Sequence, residues 1–478
     1  MSGTSQMVSW SDYENVEGFG TATQQEVDEL NKALSAGQDI NPPGSVTAGD
    51  GFALRVESLE RVLKNTTFRM EHIRLWKNVP KLAAFNTVEE HNVLSSYGEN
   101  PDAGWIDEGD LPNEDDSSYE RQFAVVKYLG TTRRVTHVMS LVKPAHGNVI
   151  SLETVNGTMH LLRILERALF YGDSSLSSLQ FDGYEKLLVD NAPAPNIIDL
   201  RGQPLTEDVL IDAGLTAQDA PNYGQITDLY LNPKVKADLV KTFFPKERYD
   251  LFTKTSSGMV GLDIAGFTSP AGDVRFQPDV FITDGGGPNA TAVGSAGQIP
   301  SAPTPGAVTT PADAASQFGA DDAGDYFYKV VAVNRYGRAA AVDVVAGPTA
   351  VTVAAGDKVT FDMTPGGVVP DWYEIFRTKV GGASGTERLI LRVPASGVTT
   401  IDDFNASLPY TTSAFGFQQN LEAMSYKQLA PMIKIPLATI DSSIRWMQLI
   451  YGVPVIYTPG KHVLFQNVGR AANFVGQP

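Results

Sequence analysis

Between Leu82 and Glu120 the chain carries eleven carboxylates and not one Lys or Arg. Carboxylates so placed repel one another, and nothing inside the segment neutralises them. An extended arm is then favoured only if basic surface receives it. Its turn-rich words, SSYGENPDAG and DEGDLPNEDDSS, are flanked by strand-like runs, and RQFAVVKYLGTTRRVTHVMSL returns as a good strand pattern. The spacing predicts an extended, acidic, two-stranded loop over residues 82–130. Trp105, Ile106 and Leu111 stand beside Asp107 and Glu108 as apolar anchors for an opposing surface. Basic surface to receive the loop is offered by Arg61 to Lys81, by Arg133 and Arg134, and by Lys241 to Arg248. The plain alternative is a solvated loop that touches nothing.

Around this loop the chain reads as an α+β protein of more than one unit. Its 478 residues exceed one typical domain. Asn148 to Tyr171 has apolar residues at Ile150, Val155, Met159, Leu162, Leu165 and Leu169, close to helical spacing, and stops at Gly172. A helix over 148–171 would run about 36 Å. Gly157 lowers its propensity by about 1 kcal/mol and marks a point where it could bend. From Asp182 to Asp284 short strands and helices alternate, as in QITDLYLNPKVKADLVKTFF. After Asp284 the composition turns abruptly to Ala, Gly, Pro, Ser and Thr, a linker signature. Regular strands come next between Pro303 and Ser413, which predicts a β-sandwich. The mixed texture returns afterwards, so the sandwich is inserted into a host.

Little in the chain supports chemistry. It has no cysteine, which excludes disulfides, thiolate catalysis and Cys-type zinc sites. The six histidines are scattered, with no HExxH. Glu89-Glu90-His91, Asp115-Asp116 and Asp402-Asp403 are the only metal candidates, and adjacent loop carboxylates are ordinarily solvated. No GxSxG, Walker A or complete GxGxxG occurs. A net charge of -18 opposes direct binding to phosphate backbones. The first residues have neither basic nor apolar character of a signal peptide, and no window approaches a membrane span, so the chain is expected to work where it is made, in the cytosol.

ERALFYGD (Glu166 to Asp173), QFDGYEKLL (Gln180 to Leu188), the strand-Asn-Pro-helix over Asp228 to Leu239, and the closing strands over Pro454 to Asn467 together resemble major capsid proteins of tailed phages with the Hong Kong 97-like fold. The resemblance covers about residues 1–284 and 420–478. It implies an N-terminal arm (1–53), the start of a peripheral domain (54–81), the extended loop (82–130), the rest of the peripheral domain with its spine helix (131–190), and an axial domain in two parts (191–284 and 420–478). Linker and insert occupy 285–419. YFYKVVAVNRYGRAA (Tyr326 to Ala340) is similar to the late strand pair of immunoglobulin-like or fibronectin type III domains, and WYEIFRT (Trp372 to Thr378) to a middle strand. The late pair comes first, which implies circular permutation.

Such a resemblance implies a shell subunit and no enzyme. Pentamers and hexamers would close an icosahedral head around double-stranded DNA, without sequence-specific binding and without a cofactor. Portal and scaffold proteins, and a decoration protein, are the implied partners, with assembly in the host cytoplasm and residence in the virion. Ordering an arm of some fifty residues costs on the order of 50 to 100 kcal/mol, so neighbouring subunits are expected to hold it, and its proteolytic removal is not expected. Some members weld their shells through a lysine in the loop. Leu82 to Glu120 has none, so contacts here are expected to be non-covalent. An encapsulin-like compartment and a surface adhesion protein stand as rivals.

Overall fold

A computed structural model describes residues 67–98, 105–111, 114–142, 147–243, 264–438 and 440–471. The expected arm, Arg61, Lys64 and Arg248 lie outside the described residues. Gly147 apart, these residues belong to one compact unit. The architecture is α+β, with few helices and several sheets.

The long helix runs Val149–Tyr171. Asn148 caps it, its side-chain oxygen accepting from the amides of Ile150 at 2.9 Å and Ser151 at 3.4 Å. Leu161, Leu162, Leu165, Leu169 and Phe170 fall on one face and are buried. Glu166 shares that buried face. Gly157 is small for a reason of packing: a Cβ there would meet Gln448 of a crossing strand at 1.9 Å. That strand, Ser443–Ile456, is long because it pairs antiparallel on both sides, with Met424–Pro436 and with Lys127–Thr136. Lys81–Ala83 completes this four-stranded sheet.

A six-stranded sheet lies beyond it in the order Ile197–Asp199, Val463–Val468, Thr412–Phe417, Asp228–Leu231, Gly272–Pro278, Gly266–Ser269. Asp228–Leu231 is followed, across Asn232, by the helix Pro233–Phe243, as the sequence predicts. Thr412–Phe417, inside the segment 285–419 expected for the insert, pairs with Asp228–Leu231 and Val463–Val468 in this host sheet. Its Thr-Ser-Ala-Phe-Gly-Phe alternation is common to both kinds of strand, and only the pairing distinguishes them.

A separate core of buried residues, Phe318 to Ile401, lies between two further sheets. One orders Arg388–Pro394, Trp372–Arg377, Tyr328–Asn334, Gly337–Arg338 and Val293–Gly294, with Val342–Asp343 also on Tyr328–Asn334. The other orders Thr304–Pro305, Val359–Thr364 and Thr399–Asp403. Arg377 and Asp403 are both buried here and pair at 2.6 Å. Arg201 of the host reaches into this region, donating to the backbone oxygens of Asn405 at 2.6 Å and Gln317 at 3.0 Å.

Candidate intersubunit surface

The acidic segment forms the hairpin Val88–Ser96 with Ser118–Val125. Its two faces differ. Glu89, His91 and Ala124 face the host: Glu89 accepts from the amides of Phe85 at 2.7 Å and Asn86 at 3.0 Å and from Lys427 Nζ at 3.1 Å. Burial pushes this carboxyl up, but those amides and Lys427 outweigh it and hold it below the usual range. His91 packs edge-on against Tyr457 with ring centres 4.9 Å apart. Burial, then Lys427, holds its imidazole below the ordinary range.

The opposite face is open to solvent and mixes apolar side chains with the ion pair of Arg121 and Glu90 at 3.3 Å. The cross-strand pairs Val88 with Val125, Glu90 with Phe123, and Leu94 with Tyr119 set these side chains on one side. Tyr119 is 71% and Phe123 73% exposed. Toward the tip, Trp105 is 86% and Leu111 82% exposed, with Ile106 between them in sequence also exposed. A turn closes there: the amide of Asp110 donates to the oxygen of Asp107 at 3.1 Å, and Asp110 accepts from the amide of Leu111 at 2.9 Å. Asp107 and Glu108 lie in that turn, exposed to solvent. Exposed apolar area this concentrated marks a contact surface.

Four of the expected receivers already have partners. Arg133 pairs with Glu153 at 3.5 Å, Arg134 with Asp441 at 3.1 Å, and Lys241 with Asp238 at 3.5 Å. Lys81 donates to the backbone oxygen of Trp76 at 2.6 Å. A count of cations in the sequence cannot reveal such pairing. The structure gathers other cations instead, Arg163 and Arg167 of the long helix with Lys127, beside a groove of about 630 Å³ that sequence reasoning missed. Their helical spacing of four was the available signal, since it puts both on one side of the helix.

A second unanticipated feature is a buried carboxyl pair. Glu166 accepts from the amides of Arg74 (2.8 Å), Leu75 (2.7 Å) and Trp76 (2.9 Å), which open the short helix Leu75–Asn78. Asp279 lies against it, and both are fully buried. Burial first, then Asp279, raises Glu166 well above the carboxyl range, and burial raises Asp279. Two carboxyls buried this close disfavour each other's ionisation. This pair fastens the segment entering the hairpin to the long helix.

Glu89 and Asp403, candidate metal ligands by sequence, are committed to Lys427 and Arg377. Among the described residues no three His, Asp or Glu gather as a metal set. No described helix is long and apolar enough to cross a membrane.

Named relatives match this chain along nearly its whole length. The chain is 26% identical over 474 residues to a protein of Enterococcus phage phiEF24C named putative major capsid protein, covering 95% of this chain and 97% of that one. It is 26% identical over 459 residues to the major capsid protein of Staphylococcus phage S25-3, covering 92% and 95%. The solved capsid of Myoviridae Phage XM1 matches with TM-score 0.43 at 9% identity, covering 89% of this chain and 99% of that one. No protein-family model matches. The resemblance to phage major capsid proteins drawn from the sequence is borne out by these relatives.

Proposed function

We propose that this chain is the major capsid protein of a phage head, a structural subunit that packs as pentamers and hexamers into an icosahedral shell around double-stranded DNA. The match to named major capsid proteins along nearly the whole of both chains carries this reading. The mechanism is geometric. A repeated body is tied to its neighbours by the acidic hairpin, whose exposed Tyr119 and Phe123 and, toward the tip, Trp105, Ile106 and Leu111 are covered in the assembly. With no lysine between Leu82 and Glu120, cohesion is non-covalent. Portal and scaffold proteins, and a decoration protein, are its partners. It assembles in the host cytoplasm and resides in the virion.

The sandwich is a circularly permuted immunoglobulin-like or fibronectin type III-like insert that projects outward. Its sheet order supports this: Arg388–Pro394, Trp372–Arg377, Tyr328–Asn334 and Val342–Asp343 correspond to strands C′, C, F and G, and Val359–Thr364 with Thr399–Asp403 to B and E. F and G precede B in the chain, so the host joins where E would lead to F. Tyr326, in the short strand Gly324–Tyr326 just before F, donates its hydroxyl to the backbone oxygen of Asp322, an arrangement similar to a tyrosine corner.

The test is the content of particles purified from infected cells. Closed shells containing DNA are expected; shells enclosing protein cargo without DNA would point to an encapsulin-like compartment. A ladder of covalently joined subunits on a denaturing gel would contradict non-covalent cohesion.

A further inference from the structure

The groove beside the long helix holds two cations, Arg163 and Arg167, without a carboxylate partner among the described residues. Lys127, Arg163, Arg167, Arg338 and Arg392 line it against a single lining carboxylate, Glu374. Glu374 is shared by Arg338 at 2.9 Å and Arg392 at 3.6 Å. Arg163 and Arg167 make no ion pair among the described residues. Desolvation by the groove walls, followed by the neighbouring Arg392 and Arg338, pulls the Arg167 guanidinium below its ordinary range. An incoming carboxylate would relieve that crowding. The walls also carry apolar side chains open to solvent: Ile164, Leu179 and Val280. A volume of about 630 Å³ lies within the range of sites that enclose an aromatic group and its neighbours.

The acidic tip is the complement in both respects. Residues 105–111 hold Trp105, Ile106 and Leu111 beside Asp107, Glu108 and Asp110, without a cation. They line no part of the groove of their own chain. We propose that this groove receives the loop tip, residues 105–111, of a second copy of the chain, with Trp105 against the apolar wall and the carboxylates toward Arg163 and Arg167. This deepens the shell reading above and rests on it. Because the sandwich supplies Arg338, Arg392 and Glu374, the insert forms part of the receiving site and joins in holding the neighbour.

The absence of cysteine makes the test clean. Full-length chains bearing Ile106→Cys and others bearing Leu179→Cys are co-assembled and oxidised. Cross-linked dimer is expected in mixed particles and not in singly substituted ones. It should be lost when Arg163→Glu and Arg167→Glu are added to the Leu179→Cys chain, and regained when Asp107→Lys and Glu108→Lys are added to the Ile106→Cys chain. Particles that form normally without cross-linked dimer overturn the inference and leave the shell reading intact. So does loss of DNA retention by Arg163→Glu, Arg167→Glu particles whose empty shells keep unchanged salt resistance, since the groove would then face nucleic acid. If the unsubstituted chain forms no particles, the shell reading itself fails, and the inference with it.

Discussion

The sandwich and the hairpin are both β-structures with aromatic residues, yet they dispose of them oppositely. In the sandwich, Tyr326, Tyr328, Phe361, Tyr373 and Phe376 are buried, and even the charges inside are paired, Arg377 with Asp403. In the hairpin and its loop, Phe85, Tyr97, Trp105, Leu111, Tyr119 and Phe123 stand in solvent. The sandwich satisfies itself within one chain. The hairpin is fixed at its base through Glu89, His91 and Lys427, and its exposed side chains, on the reading proposed above, are covered by another molecule.

The comparison can be broken most severely inside the sandwich. Arg377→Met leaves Asp403 buried without its cation and should cost about 3 to 5 kcal/mol in denaturant unfolding; a loss below about 1 kcal/mol would mean the sandwich is less self-contained than described. Next comes the host core beside it. His462 is fully buried, and burial, assisted by Lys461, lowers its imidazole to about 4 against the stabilising contact with the Ala423 oxygen. The unfolded chain, with an ordinary histidine near 6.5, binds the extra proton first, so this contribution is complete above that value and lost as pH falls toward 4. The loss approaches about 3 kcal/mol. Glu166 acts oppositely, its raised carboxyl costing stability as pH rises above the usual carboxyl range. Comparing thermal unfolding of the unsubstituted chain and His462→Gln between pH 7 and 4 isolates the histidine: the two pH profiles should diverge, and parallel profiles would refute the assignment.

Smaller effects sharpen the contrast. Asn148→Ala removes the helix cap and should cost about 1 kcal/mol, seen as a lower unfolding midpoint. Tyr119→Ser with Phe123→Ser should change the stability of the single chain by no more than about 0.5 kcal/mol, while lowering the denaturant at which assembled particles dissociate. Equal losses in both measurements would show that these rings serve their own chain.

Much of this was legible in the sequence where the signal is local. The long helix is found to within a residue because Asn148, apolar spacing and Gly172 all lie in one stretch. The hairpin is legible because its turns and its charge are extreme. Glu166 is harder: a carboxylate at a core position of a helix signals a buried partner, but the amides it caps come from Arg74 to Trp76, which no local pattern connects to it. The ends of the insert fail similarly, since Thr412–Phe417 differs from a sandwich strand only in its neighbours. That Arg133, Arg134 and Lys241 are already paired was not legible, because charge is read from composition, whereas pairing to Glu153, Asp441 and Asp238 is a property of the fold.

The central claim is that this chain is completed by copies of itself. Electron microscopy of the purified full-length protein tests it most directly. Closed shells, or the pentamers and hexamers that build them, are predicted; a uniform field of monomers would contradict it.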